Sequence, residues 1–217
     1  MAADLARRAT IVVAGNHLIA DWAVSSGARD VRIIPTCYEP LVTSAQRSSP
    51  LVEIVWIGSP STAAYLEVER DRLKPLRHLP NTRVTFVGGR APTSLRGLPN
   101  VRELSWTAAI EHDVLSTADY GLAIQPRTPY ADHKCGFKIV QYMAYGVVPV
   151  ATPNPVHESI IGPTGLLLGP AVRENLAEQL SQKPTAEQRA AVADRWESAF
   201  STSSGTQKWA RLLRSIS

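Results

Sequence analysis

The sequence lacks the short motifs that identify the commonest nucleotide-binding and hydrolytic sites. It has no GxxxxGK[ST] P-loop, no GxSxG nucleophile elbow, and no GxGxxG following a predicted strand. Its nearest glycine pair, Gly88-Gly89, leads to a proline rather than to a helix. No two histidines have metal-ligand spacing on one helix, and helix-turn-helix and RNP signatures are absent. These absences argue against P-loop NTPases, α/β-hydrolases, zinc enzymes and the common nucleic-acid-binding modules.

Cysteines, long apolar runs and basic tracts are scarce as well. Cys37 and Cys135 form neither a CxxC motif nor a disulfide framework, which favours a reduced, cytoplasmic protein and leaves a peripheral position at the inner membrane face open. No apolar run is long enough to cross a bilayer, and the N-terminus does not resemble a signal peptide, so no transmembrane segment is expected. The net charge of +4 comes mostly from scattered arginines. An acidic small molecule is therefore a better expected partner than nucleic acid.

Short β-branched runs alternate with helical patterns along the whole chain, and the hydrophobic fraction of 44% suits a sizeable core. This alternation predicts an α/β fold: a single Rossmann-like, mostly parallel sheet in residues 51–200, preceded by a βαβ remnant of another domain in residues 1–36. Residues 37–50 are polar and bounded by prolines, as in a linker. A C-terminal helix within residues 201–217 is expected to pack back on the N-terminal remnant. One long helix is predicted for residues 63–79.

The most informative stretch is residues 132–158. A basic loop containing His133, Lys134, Gly136 and Lys138 runs directly into an apolar helix predicted for residues 139–145. A buried strand is predicted for residues 147–151. This order places backbone N–H groups and ammonium groups at a helix N-terminus, where anions are stabilised. The expected ligand is therefore phosphorylated.

Several segments together resemble the donor-binding half of GT-B glycosyltransferases of the group 1, or family 4, type. They are IVWIGSPSTAAYL, ELSWTAAIEHDVLSTADYGLAIQP, HKCGFKIVQYMAYGVVPVATP and HES. The resemblance as a whole extends over residues 51–217. The opening TIVVAGNHLIADWA and VRIIPT resemble the last strands of the family's acceptor-binding half. The most specific part of this resemblance is the strand-loop-helix block at residues 134–153.

The resemblance implies two Rossmann-like domains facing a cleft, with a UDP or GDP sugar on the C-terminal one and retaining transfer of the glycosyl group. Lys138 and Lys134 fall where the family presents basic residues to the diphosphate. Their charge would stabilise the leaving nucleoside diphosphate, and no protein nucleophile and no metal cofactor are expected. The alternative for either lysine is a solvated position on a surface loop.

The resemblance also marks positions where this sequence departs from the family. Gly58 and Ser59 lie at the end of the first strand of this half, where a glycine lets backbone N–H groups approach a phosphate. The family often carries an arginine and a lysine shortly after this glycine, whereas this chain reads SPST from Ser59 onward, an ordinary turn with an N-cap being the alternative. Gln141 replaces the second of the family's paired glutamates, the usual ribose contact, and His133 falls near the first. Gln141 can still bond a ribose hydroxyl, and the alternative for His133 is a plain loop histidine.

Further positions complete the expected donor site. Gly136 lies in the phosphate-binding loop, and Trp106 lies where the family packs the nucleobase, although a tryptophan at a strand end is more often a core residue. Glu158 could contact the donor or cap a helix beginning at Ser159.

The expected function is donor binding and glycosyl transfer to a glycan, lipid or protein acceptor. Because the acceptor side is expected to be incomplete, a fragment, a subunit completed by an acceptor-binding chain, and a non-catalytic nucleotide-binding module stay open as alternatives. The two short N-terminal strands would present unpaired edges and apolar faces, so a homodimer or a partner chain is also expected.

Overall fold

The structure is a computed structural model, and it describes residues 1–40, 49–169 and 172–216. Most strands coincide with β-branched or apolar runs of the sequence. The strands are β1 (Val12–Ala14), β2 (Val31–Ile33), β3 (Val52–Ile57), β4 (Thr82–Val87), β5 (Val101–Leu104), β6 (Tyr120–Ala123), β7 (Val148–Ala151) and β8 (Leu166–Leu167). The α-helices are α1 (Ala2–Arg8), α2 (His17–Ser25), α3 (Pro60–Val68), α4 (Arg70–Leu73), α5 (Ala108–Thr117), α6 (Pro129–Asp132), α7 (Phe137–Ala144), α8 (Pro155–Ile161), α9 (Val172–Leu180), α10 (Ala186–Phe200) and α11 (Thr202–Ser215).

The main sheet has the order β5-β4-β3-β6-β7-β8, and every neighbouring pair is parallel. Its central strands β3, β6 and β7 are buried along their whole length, because helices cover both faces of the sheet. The chain moves outward from β3 through β4 to β5 and then returns to β6 on the other side of β3. The predicted α/β fold with a parallel Rossmann-like sheet is confirmed, and the strand order reverses between β3 and β6.

The N-terminal unit is a small βαβ element. Strands β1 and β2 pair in parallel from Val12↔Val31 to Ala14↔Ile33, with α2 between them. Asn16 caps α2 by accepting a hydrogen bond from the Ile19 N–H at 2.9 Å, as the sequence predicts. The predicted strands at residues 10–14 and 31–34 are therefore present in slightly shorter form.

The last helix, α11, approaches the N-terminal unit. A Cβ added to Gly205 of this helix would lie 2.5 Å from the Cys37 Sγ atom, so α11 touches the residues that directly follow the N-terminal unit. Leu212 is buried, and a cavity between α11 and β2 is lined by Ile33, Ile34 and Arg211 among others. The domain boundaries stay predictions, and residues 41–48 of the predicted linker lie outside the described residues.

The prediction of a single helix over residues 63–79 is wrong. The chain instead forms α3, the short α4 and a 3₁₀ turn, Lys74–His78. Pro75 explains the change to 3₁₀ geometry, because proline lacks an N–H donor and its ring collides with the carbonyl four residues earlier.

None of the helices among the described residues is both long and apolar enough to cross a membrane.

Candidate functional site

The carboxyl ends of the parallel strands meet at one edge of the main sheet. A Cβ added to Gly88, after β4, would lie 2.3 Å from the Gly58 carbonyl oxygen and 3.1 Å from the Trp106 Cβ atom. The turns after β3, β4 and β5 are thus in contact. Gly88 has φ +77°, so a side chain is disfavoured there on both conformational and steric grounds. Ligands of open α/β sheets bind at this kind of edge, at the point where the strand order reverses.

A cavity of about 330 Å³ opens at that point, between β3 and β6. Its wall consists of residues from α3, the end of β6, the start of α7 and the start of α8. They are Thr62, Tyr65, Ala123, Ile124, Gln125, Lys134, Cys135, Gly136, Phe137, Lys138, Ile139 and His157. Three of the predicted site residues, Lys134, Gly136 and Lys138, are therefore brought together in one cavity.

The two lysines face aromatic and hydroxyl groups instead of carboxylates. Lys138 Nζ lies 3.5 Å from Thr62 Oγ1 and 4.4 Å from the centroid of the Trp56 ring. Lys134 Nζ donates to the Tyr65 hydroxyl at 3.2 Å. Neither ammonium group forms an ion pair with an acidic group of the described chain.

This environment changes the titration of Lys138. Burial, and secondarily the neighbouring Lys134 ammonium, lower the pKa of Lys138 to about 8. The charged form is thus held next to a second cation with no counter-ion in the described part of the protein. An anion bound in the cavity would relieve both penalties.

The N-terminus of α7 faces the same cavity without a capping side chain. Its N-cap is Gly136, which has φ +61° and makes no side-chain hydrogen bond to the helix. By contrast, side-chain oxygens cap α2, α5, α6, α8, α10 and α11. The first-turn N–H groups of α7 are therefore free of a side-chain acceptor and can stabilise an anion.

Gly58 and Ser59 show the arrangement given above as the alternative, a turn with a helix cap. The Gly58 N–H donates to the Val87 carbonyl at 3.0 Å and the Ser59 N–H to Thr62 Oγ1 at 3.1 Å, so both are engaged within the protein. A Cβ on Gly58 would lie 2.5 Å from the Trp56 ring, which explains the glycine by packing. Ser59 forms a capping box with Thr62 at the start of α3. The same cap holds Thr62, whose Oγ1 atom lies 3.5 Å from Lys138 Nζ.

Trp106 and Gln141 both donate hydrogen bonds to the carboxylate of Glu111 on α5. The Trp106 indole Nε1 donates to Glu111 Oε2 at 2.6 Å, and Gln141 Nε2 donates to Glu111 Oε1 at 2.5 Å. Trp106 is 56% exposed, so its alternative interpretation as a core residue is wrong. Gln141 is buried on α7, one turn beyond Lys138.

His133 and Glu158 lie away from the cavity wall. His133 is exposed, with its Nδ1 atom 2.6 Å from the Pro129 carbonyl oxygen, so its loop interpretation fits the structure. Glu158 is exposed on α8, which begins at Pro155 and is capped by Asn154. The predicted capping of a helix from Ser159 by Glu158 is therefore wrong, because the helix begins one turn earlier.

The neighbouring His157 lines the cavity, whereas Glu158 does not. Its Nδ1 atom is 2.8 Å from the Thr152 carbonyl oxygen, which requires the proton on Nδ1 in the neutral ring and leaves Nε2 as an acceptor. Burial lowers the pKa of His157, and the ring is 2% exposed. The pair Asn154-Pro155, an N-cap followed by a proline at the first helical position, is the sequence signal that would have placed this helix correctly.

The other residues missed by sequence reasoning carry weaker signals. Thr128-Pro129 has the same cap-and-proline pattern and starts α6. Tyr65, Gln125 and Glu111 have no local signal, since their roles come from the packing of distant segments. Among the described residues, no group of three or more His, Cys, Asp or Glu side chains is placed to hold a metal ion.

Comparisons with solved structures identify the fold. The chain is similar to Anabaena HepE in complex with UDP and glucose (TM-score 0.73, 17% identity over 99% of this chain and 66% of that one). It is similar to the pneumococcal O-GlcNAc transferase GtfA in complex with UDP and GlcNAc (TM-score 0.67, 12% identity, 95% and 45% coverage). The lipopolysaccharide outer core galactosyltransferase WaaB is a third neighbour (TM-score 0.65, 15% identity, 94% and 62% coverage).

The predicted fold is thereby confirmed as that of the GT-B glycosyltransferases, and the chain spans 45 to 66% of the length of these three structures. No protein-family model matches the sequence. No curated protein matches it either.

Proposed function

We propose that this chain is the donor-binding half of a retaining GT-B glycosyltransferase of the group 1, family 4 type, and that its cavity holds the diphosphate of a nucleotide sugar. The observation that carries the proposal is the pair Lys134 and Lys138 beside the uncapped N-terminus of α7. Two ammonium groups without acidic partners in the described chain, together with a helix N-terminus, form a site for a multivalent anion.

The same arrangement supports a role for the two lysines in the chemistry. As the bond between the sugar and the diphosphate breaks, negative charge grows on the leaving phosphate, and fixed cations stabilise that charge more than the charge of the ground state. Lys138 serves this role best because burial has already removed most of its water. We propose that these lysines, without a divalent cation, neutralise the diphosphate. The similar structures that carry UDP make UDP the first donor nucleotide to test, with GDP second.

Calorimetry and thermal shift with UDP, GDP and UDP-glucose test the proposal. A ligand at about a hundred times its Kd raises the free energy of unfolding by roughly 2.7 kcal/mol. The variant K138M should lose most of this effect, and K74M, which changes an exposed lysine, should keep it. A native chain unaffected by every nucleoside diphosphate and nucleotide sugar would overturn the proposal.

We also propose that a second chain, a homodimer copy or an acceptor-binding partner, covers the N-terminal unit. Large apolar side chains are exposed in this unit, on α11 and at the residue that ends α11: Leu5, Trp22, Val24, Ile33, Trp209, Leu213 and Ile216. Such a partner would supply the glycan, lipid or protein acceptor in the cytoplasm. Light scattering that shows a monomer over a wide concentration range would exclude the homodimer. Turnover of a radiolabelled nucleotide sugar with and without a candidate partner then separates an incomplete enzyme from a non-catalytic binding module.

A further inference from the structure

Glu111 has a carboxylate whose two oxygens are both fixed by neutral donors. Trp106 Nε1 holds Oε2 at 2.6 Å and Gln141 Nε2 holds Oε1 at 2.5 Å. No cation of the described chain forms a salt bridge with Glu111. The negative charge is therefore oriented by two hydrogen bonds and left without a counter-ion.

Two of the three groups do not need this arrangement to be satisfied, whereas the buried Gln141 amide does. Trp106 is 56% exposed, so water could satisfy its indole N–H, and Glu111 is itself partly exposed. The network fixes the rotamer of a carboxylate that would otherwise be mobile. Each carboxylate oxygen has a second lone pair, so both can still accept a hydrogen bond from a ligand.

The position of this carboxylate relative to Lys138 suits a nucleotide as the ligand. Gln141 lies three residues beyond Lys138 on α7, an axial rise of about 4.5 Å. This rise is comparable with the separation between the phosphate and the ribose hydroxyls of a nucleotide. Glu111 is bonded to Gln141 and therefore lies about one helical turn from Lys138, just outside the cavity wall. The exposed Trp106 ring beside it offers a surface for a base. A carboxylate accepts hydrogen bonds and donates none, so it suits two vicinal hydroxyl groups.

We propose that Glu111 is the residue that selects a ribonucleotide donor, accepting hydrogen bonds from the 2′- and 3′-hydroxyls, while Gln141 and Trp106 position it. This inference rests on the proposed function, since it presumes a nucleoside diphosphate in the cavity. The ribose contact is thereby given to Glu111 of α5, whereas the sequence predicted it only for Gln141.

The test is calorimetric titration with UDP and with 2′-deoxyuridine diphosphate, repeated with the corresponding guanine nucleotides. The native chain should bind the ribonucleotide about tenfold or more tightly, the effect of a hydrogen bond to a charged group. E111Q should bring the two affinities close together, because the amide is a weaker acceptor. Its fold should survive, since rotation of the Gln141 amide can satisfy the new amide. D113N makes the same charge change at an exposed position two residues further along α5 and should keep the preference.

The outcomes separate the two proposals. Equal binding of ribose and deoxyribose nucleotides by the native chain, or an unchanged preference in a folded E111Q, would overturn the role of Glu111 and leave the diphosphate site standing. A native chain that binds no nucleoside diphosphate would overturn the proposed function and this inference with it. A purely structural Glu111 would lower the melting temperature when changed without altering the ratio between the two ligands.

Discussion

Lys138 Nζ lies 4.4 Å from the centroid of the Trp56 ring, and Trp56 is completely buried at the end of β3. The ring provides a cation–π contact, yet it replaces little of the water that an ammonium group loses on burial. The lowered pKa of Lys138 records this imbalance. Lys138 is thus held in the unliganded protein at a cost in stability, as expected for a cation kept for a ligand.

Replacing this lysine should therefore stabilise the unliganded protein. K138M keeps an unbranched chain against Trp56 and removes the buried charge, and we expect the free energy of unfolding to rise by about 1 kcal/mol. For a chain of this size, the melting temperature should rise by roughly 2 to 4 °C. Calorimetric melting measures this, with K74M as an exposed control that changes stability little. A clear destabilisation by K138M would show that the lysine stabilises the fold.

Nucleotide binding should depend on pH through the same group. Since the pKa of Lys138 in the free protein is about 8 and a bound diphosphate would raise it, binding takes up a proton above that pH. UDP affinity should fall by up to about tenfold per pH unit above pH 8. K138R, whose guanidinium stays charged, should flatten the profile.

The stability of the unliganded protein should rise with pH above about pH 8, where the affinity for UDP falls. The pKa of Lys138 lies below its ordinary value of 10.5, so the unfolded chain holds the proton more tightly between about pH 8 and 10.5. This group therefore makes the folded state more stable as pH rises through that window. The native protein and K138R compared by urea denaturation should show the difference, and parallel curves would contradict the assignment.

Gly136 should be intolerant of any side chain. Its φ of +61° disfavours an L-residue, and an added Cβ would lie 2.3 Å from Ile160 Cδ1. G136A should cost about 3 kcal/mol, from backbone strain and overpacking together. G97A has a similar φ of +77° with nothing within 4 Å of the new Cβ, so it should cost only about 1 kcal/mol. Equal losses in urea denaturation would show that the contact with Ile160 relaxes freely.

Asn16 should link the N-terminal unit to the site. Its Oδ1 atom caps α2, and its Nδ2 atom donates to the His133 carbonyl at 2.9 Å, directly before Lys134. N16A loses both bonds and the contact of Nδ2 with Cys135 Sγ at 3.6 Å, and it should cost about 2 kcal/mol. N16D keeps the cap but sets a carboxylate oxygen against the His133 carbonyl oxygen at a buried position, so it should cost at least about 1 kcal/mol. T185A removes a cap from α10 alone and serves as the control. If N16D matches the native stability, the contact with His133 carries no energy.

These residues show which parts of the protein could be predicted from sequence. The parallel sheet follows from the alternation of apolar runs and helical patterns, and the cap at Asn16 follows from its chemistry. The end of regular α-helix near Pro75 could also have been predicted, because proline cannot continue an α-helix.

The network around Glu111 could not be predicted in this way. Trp106, Glu111 and Gln141 come from the end of β5, from α5 and from α7, and only the packed sheet brings them together. For the same reason, the sequence does not predict that Thr62 and Lys138 line one cavity, because the two residues are 76 positions apart. Local patterns identify elements, whereas a site made by several elements depends on their packing.

The most direct test of the account is a crystal structure of the protein with UDP bound. We expect the diphosphate at the N-terminus of α7, within hydrogen-bond distance of Lys134 Nζ, Lys138 Nζ and the first N–H groups of the helix. An empty cavity in crystals saturated with UDP, or a nucleotide bound away from both lysines, would contradict the central claim that this helix start and these two cations form the diphosphate site.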